Sequence, residues 1–323
     1  LSRRQAYIPR TETLAQLNRI AAQARHNAAS PGTPTNAPNG MVVVSPSGNG
    51  KSALVAYWIE QFRRRNPGAF VVEHYLGIGT EHGDQAEAVR HLAMELHERG
   101  YISGDIPESN DELYAELPNW LAAIHGEPLI ILLDGLNQVS PHGHNLAWLP
   151  THLPPNVVMI ATTSDPNMAQ ILTDRGWESL QLEPLLPDER QAVIVRFLGE
   201  SYKSLNARQL RRIGEEDHCA HPLFLRTFLE ELRMFGHHEE LDQQIDWYLS
   251  ANDTHELFQR MLQRMEGDFG EHLIRRVMSL LWCSRRGLSE SELADMTQGA
   301  QLQLASLVAS LDYHLINRDG LLT

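Results

Sequence analysis

Cysteine occurs twice, at Cys219 and Cys283, far apart and with no Cys-x-x-Cys partner, which excludes a disulfide framework and a thiolate zinc site together. A reducing, cytoplasmic setting fits that scarcity. No apolar run approaches the ~18 residues that a membrane span requires, and the clear ones are short, such as Leu129 to Leu133. No membrane partner is expected. Fixed-period repeats and long low-complexity tracts are missing as well, which removes solenoid and fibrous architectures. Clustered cations are also scarce: 27 Lys and Arg stand against 41 Asp and Glu, a formal charge of −14 with His neutral. Phosphate-backbone binding as the main task needs the opposite balance, so a nucleic-acid partner is not expected through this region. The start, Leu-Ser-Arg-Arg-Gln, has neither Met nor an apolar signal core, as in a piece excised from a longer protein.

What is present is an ordinary globular composition, 42% hydrophobic and 21% charged over 323 residues. At about 100 to 200 residues per domain this length holds two or three domains. Residues 1–40 read as a lead-in helix, apolar at Leu14, Leu17, Ile20, Ala21 and Ala24, followed by a proline-rich loop. Between 41 and 186, short apolar strands at Met41–Val44, Phe70–Tyr75, Leu129–Leu133, Val157–Thr162 and Ser179–Leu182 alternate with helical patterns. That alternation predicts an α/β domain with a five-stranded parallel sheet. Residues 187–272 show helical periodicity without a convincing strand, from a start at Pro187-Asp188-Glu189. Residues 273–323 hold three short helical patterns and an Asp319-Gly320 turn signal, which predicts a winged helix cut off inside its wing.

The loop after the first strand reads Ser45-Pro46-Ser47-Gly48-Asn49-Gly50-Lys51-Ser52. It matches the Walker A pattern at Gly50-Lys51-Ser52 and carries Ser45 where the first Gly is expected. Strand, glycine-containing loop and helix in that order bring N–H groups and a helix N-terminus to one point, as phosphate oxygens demand. Pro46, Ser47, Gly48, Asn49, Gly50, Lys51, Ser52 and Ala53 are therefore the nucleotide-binding candidates. Lys51 would reach the β/γ-phosphates and Ser52 would ligand Mg²⁺.

A phosphoryl-transfer site also needs a carboxylate for the metal, and Leu129–Leu133 ends in Asp134, as Walker B requires. Ser52 and Asp134 are thus the metal candidates. After them, Asn137 and Gln138 stand where hydrolysing relatives carry Asp or Glu. An amide can position water but cannot take its proton, so slow hydrolysis is expected. In an additional-strand P-loop sheet the strand ending Thr162-Thr163-Ser164-Asp165 lies between the Walker A and Walker B strands. That placement nominates Thr163 or Ser164 beside the γ-phosphate.

Taken in order, these motifs, the helical region and the terminal three-helix pattern resemble the STAND class of signal-transduction ATPases, near its NACHT branch. The stretch His221-Pro222-Leu-Phe-Leu-Arg-Thr-Phe-Leu is similar to the Gly-x-Pro helix of that class, and both it and Arg286-Gly-Leu-Ser-Glu-Ser-Glu-Leu293 resemble telomerase-associated-protein-like and nephrocystin-like members and bacterial relatives. The resemblance implies ATP and ADP with Mg²⁺ as ligands, Pro222 against the base or ribose, and Ile8 and Arg10 of Tyr7-Ile8-Pro9-Arg10 at the base. It further implies homo-oligomers on activation, effector and sensor domains outside this chain, and a role in signalling or immune and antiviral defence. Ser45, the two amides, Asp165 in place of a sensor Arg, and the lack of Gly before Pro222 depart from the family. Two other readings share the motifs: a DNA-loading initiator-type ATPase, which the charge opposes, and a nucleotide-bound scaffold that does not hydrolyse.

Several further constellations carry less. The pairs His142/His144, His218/His221 and His237/His238 lack carboxylate or thiolate partners at a metal-ligand spacing. Ser47 lacks the glycines of a nucleophile elbow. Arg63-Arg64-Arg65 reads as a solvated helix end, and the six separate tryptophans as core or interface packing.

Overall fold

A computed structural model describes residues 10–29, 38–77, 85–125, 127–236, 238–284, 286–297, 301–311, 314–315, 317–318 and 320–322. They fall into two compact units, one within Tyr7–Glu183 and one within Pro184–Thr323.

The first unit runs α1 (Thr11–Ala29), β1 (Gly40–Val44), α2 (Lys51–Arg65), β2 (Phe70–Tyr75), α3 (Gln85–Glu98), α4 (Asn110–Ala122), β3 (Leu129–Asp134), β4 (Val157–Thr163), α5 (Pro166–Asp174) and β5 (Glu178–Gln181). Its strands form one parallel sheet in the order β2-β3-β4-β1-β5. β1, β3 and β4 are almost wholly buried, the expected state of strands covered by helices on both faces.

Alternation along each strand sends side chains to two cores. Val42, Ile131, Leu133, Met159 and Ala161 pack with α3, α4 and α5. Met41, Val43, Ile130, Leu132, Val158 and Ile160 pack with Leu17, Ile20, Ala21 and Ala24 of α1 and with Leu54, Val55, Trp58 and Ile59 of α2. Helix α1 is therefore a layer of this unit as well as a lead-in, and Trp58 Nε1 ties α2 to it by donating to Asn18 Oδ1 at 3.0 Å. At Gly40 a Cβ would lie 2.3 Å from the Trp177 ring, so only glycine lets β1 start there.

The second unit contains α6 (Pro187–Gly199), α7 (Ala207–Glu215), α8 (Pro222–Met234), α9 (Leu241–Leu249) and α10 (Thr254–Phe269). They gather around Phe224, Phe228 and Tyr248. Pro187 and Pro222 each open a helix, where a missing N–H costs nothing. Then come α11 (Glu271–Cys283), α12 (Glu290–Met296) and α13 (Gln301–Leu311) with their own core of Met261, Met265, Ile274, Val277, Leu293 and Leu307. Helix α10 serves both cores, Leu257 in one and Met261 and Met265 in the other. Three two-residue strands, β6 (Leu288–Ser289), β7 (Asn317–Arg318) and β8 (Leu321–Leu322), pair antiparallel in the order β6-β8-β7. The sequence shows the β7–β8 hairpin but not β6, because two residues have no periodicity and their pairing is long-range. Among the described residues no helix is long and apolar enough to cross a membrane.

Candidate functional site

β1 delivers the loop Ser45–Gly50, and α2 begins at Lys51. Gly48 at φ 83° and Gly50 at φ 89° adopt the left-handed conformation that side chains resist, and this folds the loop back over the helix end. Gly50 is the N-cap and supplies no side-chain hydrogen bond, and the first turn of α2 carries no acid. The helix therefore starts with uncapped N–H donors and no acid of its own, the electrostatics of an anion site.

Lys51 is buried, and its Nζ donates to the carbonyl oxygens of Ser45 at 2.6 Å and Pro46 at 3.0 Å. Burial lowers its pKa, and the charge of Asp134 opposes that shift. Ser45 and Asn49 are buried beside it, while Pro46 and Ser47 are exposed and Gly48, Ser52 and Ala53 are partly covered. Ser45 N–H reaches Thr163 O at 3.4 Å, so the serine that replaces the first glycine sits in an intact strand-to-loop passage.

Strand alternation decides which groups meet. Ser45, Asp134 and Thr162 continue the faces of Met41/Val43, Ile130/Leu132 and Val158/Ile160, so all three end on the α2 side of the sheet. Asp134 is 6% exposed; its Oδ1 accepts from Thr162 Oγ1 at 2.6 Å, and that same hydroxyl accepts from the Gly135 N–H at 2.9 Å. Thr162 thus clamps one carboxylate oxygen. The other takes no hydrogen bond from the described residues. A buried carboxylate with a bare oxygen, close enough for its charge to act on Lys51, fits a Mg²⁺ ligand with Ser52 as the second.

Thr163, one of the two residues nominated beside the γ-phosphate, is oriented differently from Thr162. It continues the opposite face, is fully buried, and its Oγ1 accepts from Asp165 N–H at 3.0 Å beside Met168. It shapes the turn into α5, where Asp165 caps the helix through Asn167 N–H. The residue beside Asp134 is Thr162, and strand parity was the signal that could have found it.

Asn137 is half-buried in the 3-10 turn Leu136–Gln138, and its Oδ1 accepts from Ser164 N–H at 3.1 Å. Gln138 is exposed and lies over Gly77, where an added Cβ would come within 3.0 Å of it. Arg10 donates to the Glu183 carbonyl, Ile8 lies outside the described residues, and Pro222 is the half-buried first residue of α8 in the second unit. Arg63 and Arg64 pair with Glu73 and Glu60 at the surface. Trp58, Trp120, Trp148 and Trp177 are core residues, but Trp282 is 90% exposed. No group of three His, Cys, Asp or Glu that could hold a metal occurs among the described residues.

No protein-family model matches the chain. It is similar to a TPR repeat-containing protein of Dictyostelium discoideum, 24% identical over 330 residues covering 87% of this chain and 20% of that protein. It is also similar to human nephrocystin-3, 25% identical over 285 residues covering 84% of this chain and 21% of that protein. The chain thus spans about a fifth of the length of the curated relatives it matches. Among solved structures, PCH-2 of C. elegans superposes with a TM-score of 0.53 at 12% identity, covering 80% of this chain and 71% of that one. Sheet order, loop and helical region together give the chain the fold of a P-loop ATPase.

Proposed function

We propose that this chain binds ATP or ADP with Mg²⁺ and acts as the switch and oligomerisation module of a longer signalling protein of the STAND/NACHT type, hydrolysing ATP slowly. The observation that carries the reading is the convergence of Lys51, Asp134 and the uncapped start of α2 on one side of the sheet. The similarity to nephrocystin-3 supports the family, and the terminal helices with their three-stranded sheet are compatible with a winged helix.

In this reading the α2 N–H groups and Lys51 bind the phosphates, and Lys51 exchanges the Ser45 and Pro46 carbonyls for phosphate oxygens. Ser52 and Asp134 would hold Mg²⁺, which neutralises charge between the phosphates when bound. Thr162 fixes the rotamer of Asp134. No carboxylate follows Asp134 at positions 137 and 138, so proton removal from the attacking water lacks a local acceptor. Slow turnover suits a switch whose ATP form must outlast subunit assembly.

Calorimetry with ATP and ADP on the wild type and Lys51→Ala tests the reading. The variant should lose binding, and unchanged affinity would sink the phosphate-loop assignment. Submicromolar, sequence-dependent duplex binding at physiological salt would instead favour an initiator-type ATPase.

A further inference from the structure

Asn137 stands two residues past Gly135, in a turn that bridges the end of β3 to the end of β4. Its Oδ1 faces the Ser164 backbone N–H at 3.1 Å. A backbone N–H can only donate, so this contact fixes the amide in one orientation, oxygen toward Ser164 and nitrogen away from it. Nδ2 makes no hydrogen bond with the described residues and is not sealed from solvent. β4 is the strand between β3 and β1, and Ser45, the first residue of the phosphate loop, bonds to its last residue. The Asn137 amide and the start of the loop therefore share the carboxyl end of β4.

We infer that Asn137 selects ATP over ADP, its Nδ2 donating to an oxygen of the terminal phosphate that ADP lacks, and that it does not orient the attacking water. The inference rests on the nucleotide reading above. Its physical content is the difference between the two ends of an amide. A water about to attack needs a basic acceptor, and Oδ1 of Asn137 is a neutral oxygen that already accepts from Ser164 N–H and keeps one lone pair only. The end left over carries two donors, which suit an anionic oxygen.

Asn137→Asp separates these roles with opposite signs. It keeps an acceptor for Ser164 N–H and puts an anion where the donor was. Affinity for ATP with Mg²⁺ should fall about 10- to 100-fold, the worth of a hydrogen bond to a charged group, while affinity for ADP with Mg²⁺ stays within about twofold. Single-turnover phosphate release should be no faster. A water-orienting position would respond oppositely, with a gain on the order of 10² to 10⁴ as the carboxylate supplies the missing base. Asn137→Ala, which removes the donor without adding charge, should also lose the preference for ATP. Unchanged ATP affinity in both variants, equal losses for ATP and ADP, or faster hydrolysis by Asn137→Asp would each overturn the inference. Failure of the wild type to bind either nucleotide, or full binding by Lys51→Ala, would break the nucleotide reading instead.

Discussion

Both units bury charge, and they treat it in opposite ways. In the helical unit Glu231, 3% exposed, receives Arg264 through both carboxylate oxygens and the Tyr248 hydroxyl as well. Arg190 is likewise spent on the carbonyls of Leu185, Gly214 and Glu216. At the loop edge of the α/β unit, Lys51 rests on two loop carbonyls and Asp134 is held by one oxygen only. Charge whose partners are complete holds a fold together. Charge left partly unanswered in a buried place points to a ligand, since an ion is costly to bury without a partner.

The largest effect expected from this contrast is in the helical unit. Glu231→Ala takes the acceptor from the buried Tyr248 hydroxyl and reduces the half-buried Arg264 to its surface pair with Asp268, and should cost about 2–3 kcal/mol, read as a lowered urea midpoint. A cost below about 1 kcal/mol, the worth of a surface pair, would show that the network is not the support the contrast claims. At the loop edge the signs reverse: Asp134→Ala should leave stability nearly unchanged and slow single-turnover hydrolysis by roughly 10², the loss of one preorganised electrostatic group. A wild type turning over faster than about one per second would contradict the missing base, because that is the range of enzymes with one.

Thr162 sharpens the comparison further. Thr162→Val keeps the shape and removes the hydroxyl, so the Mg²⁺-dependent part of ATP affinity should fall about tenfold while affinity in EDTA holds, and Thr162→Ser should restore it. Equal losses with and without Mg²⁺ would make Thr162 a mere packing residue. The smallest effect is in pH. His314 has its pKa held below the ordinary 6.5 of an imidazole chiefly by burial, with Glu231 opposing and Arg226, Arg264 and Arg233 reinforcing. His74 in the α/β unit is lowered as well, by burial first and His91 next, against Glu87. For a depressed histidine the unfolded chain binds the proton more readily. Stability is therefore complete above about 6.5 and declines as pH drops from there through the folded values. Urea curves at about pH 7 and pH 5 should differ in that direction, and His314→Gln should reduce the difference.

Much of the α/β unit is legible from sequence because its signals are local. The apolar runs at Leu129–Asp134 and Val157–Thr163 stand out by themselves, and the loop chemistry is compressed into Ser45–Ser52. What sequence reading misses is parity between elements. Thr162 and Thr163 are neighbours of the same type, and only knowledge of which sheet face carries α2 assigns the first to Asp134 and the second to the turn at Asp165. The Glu231 network escapes for a related reason. Its members come from α8, α9 and α10, and charged residues on helices give no local hint that they turn inward.

Lysine occurs at only two of 323 positions, Lys51 and Lys203, against 25 arginines. Lys203 Nζ caps the carboxyl end of α8 through Leu232, Arg233 and Phe235 carbonyls, and burial lowers its pKa as it does for Lys51. The chain therefore carries two ε-amines of similar environment, one in the phosphate loop and one far from it in sequence. An acylating reagent followed by peptide mass spectrometry would report occupancy of the loop directly: a nucleotide bound there would shield Lys51, and Lys203 would serve as the internal standard within the same molecule.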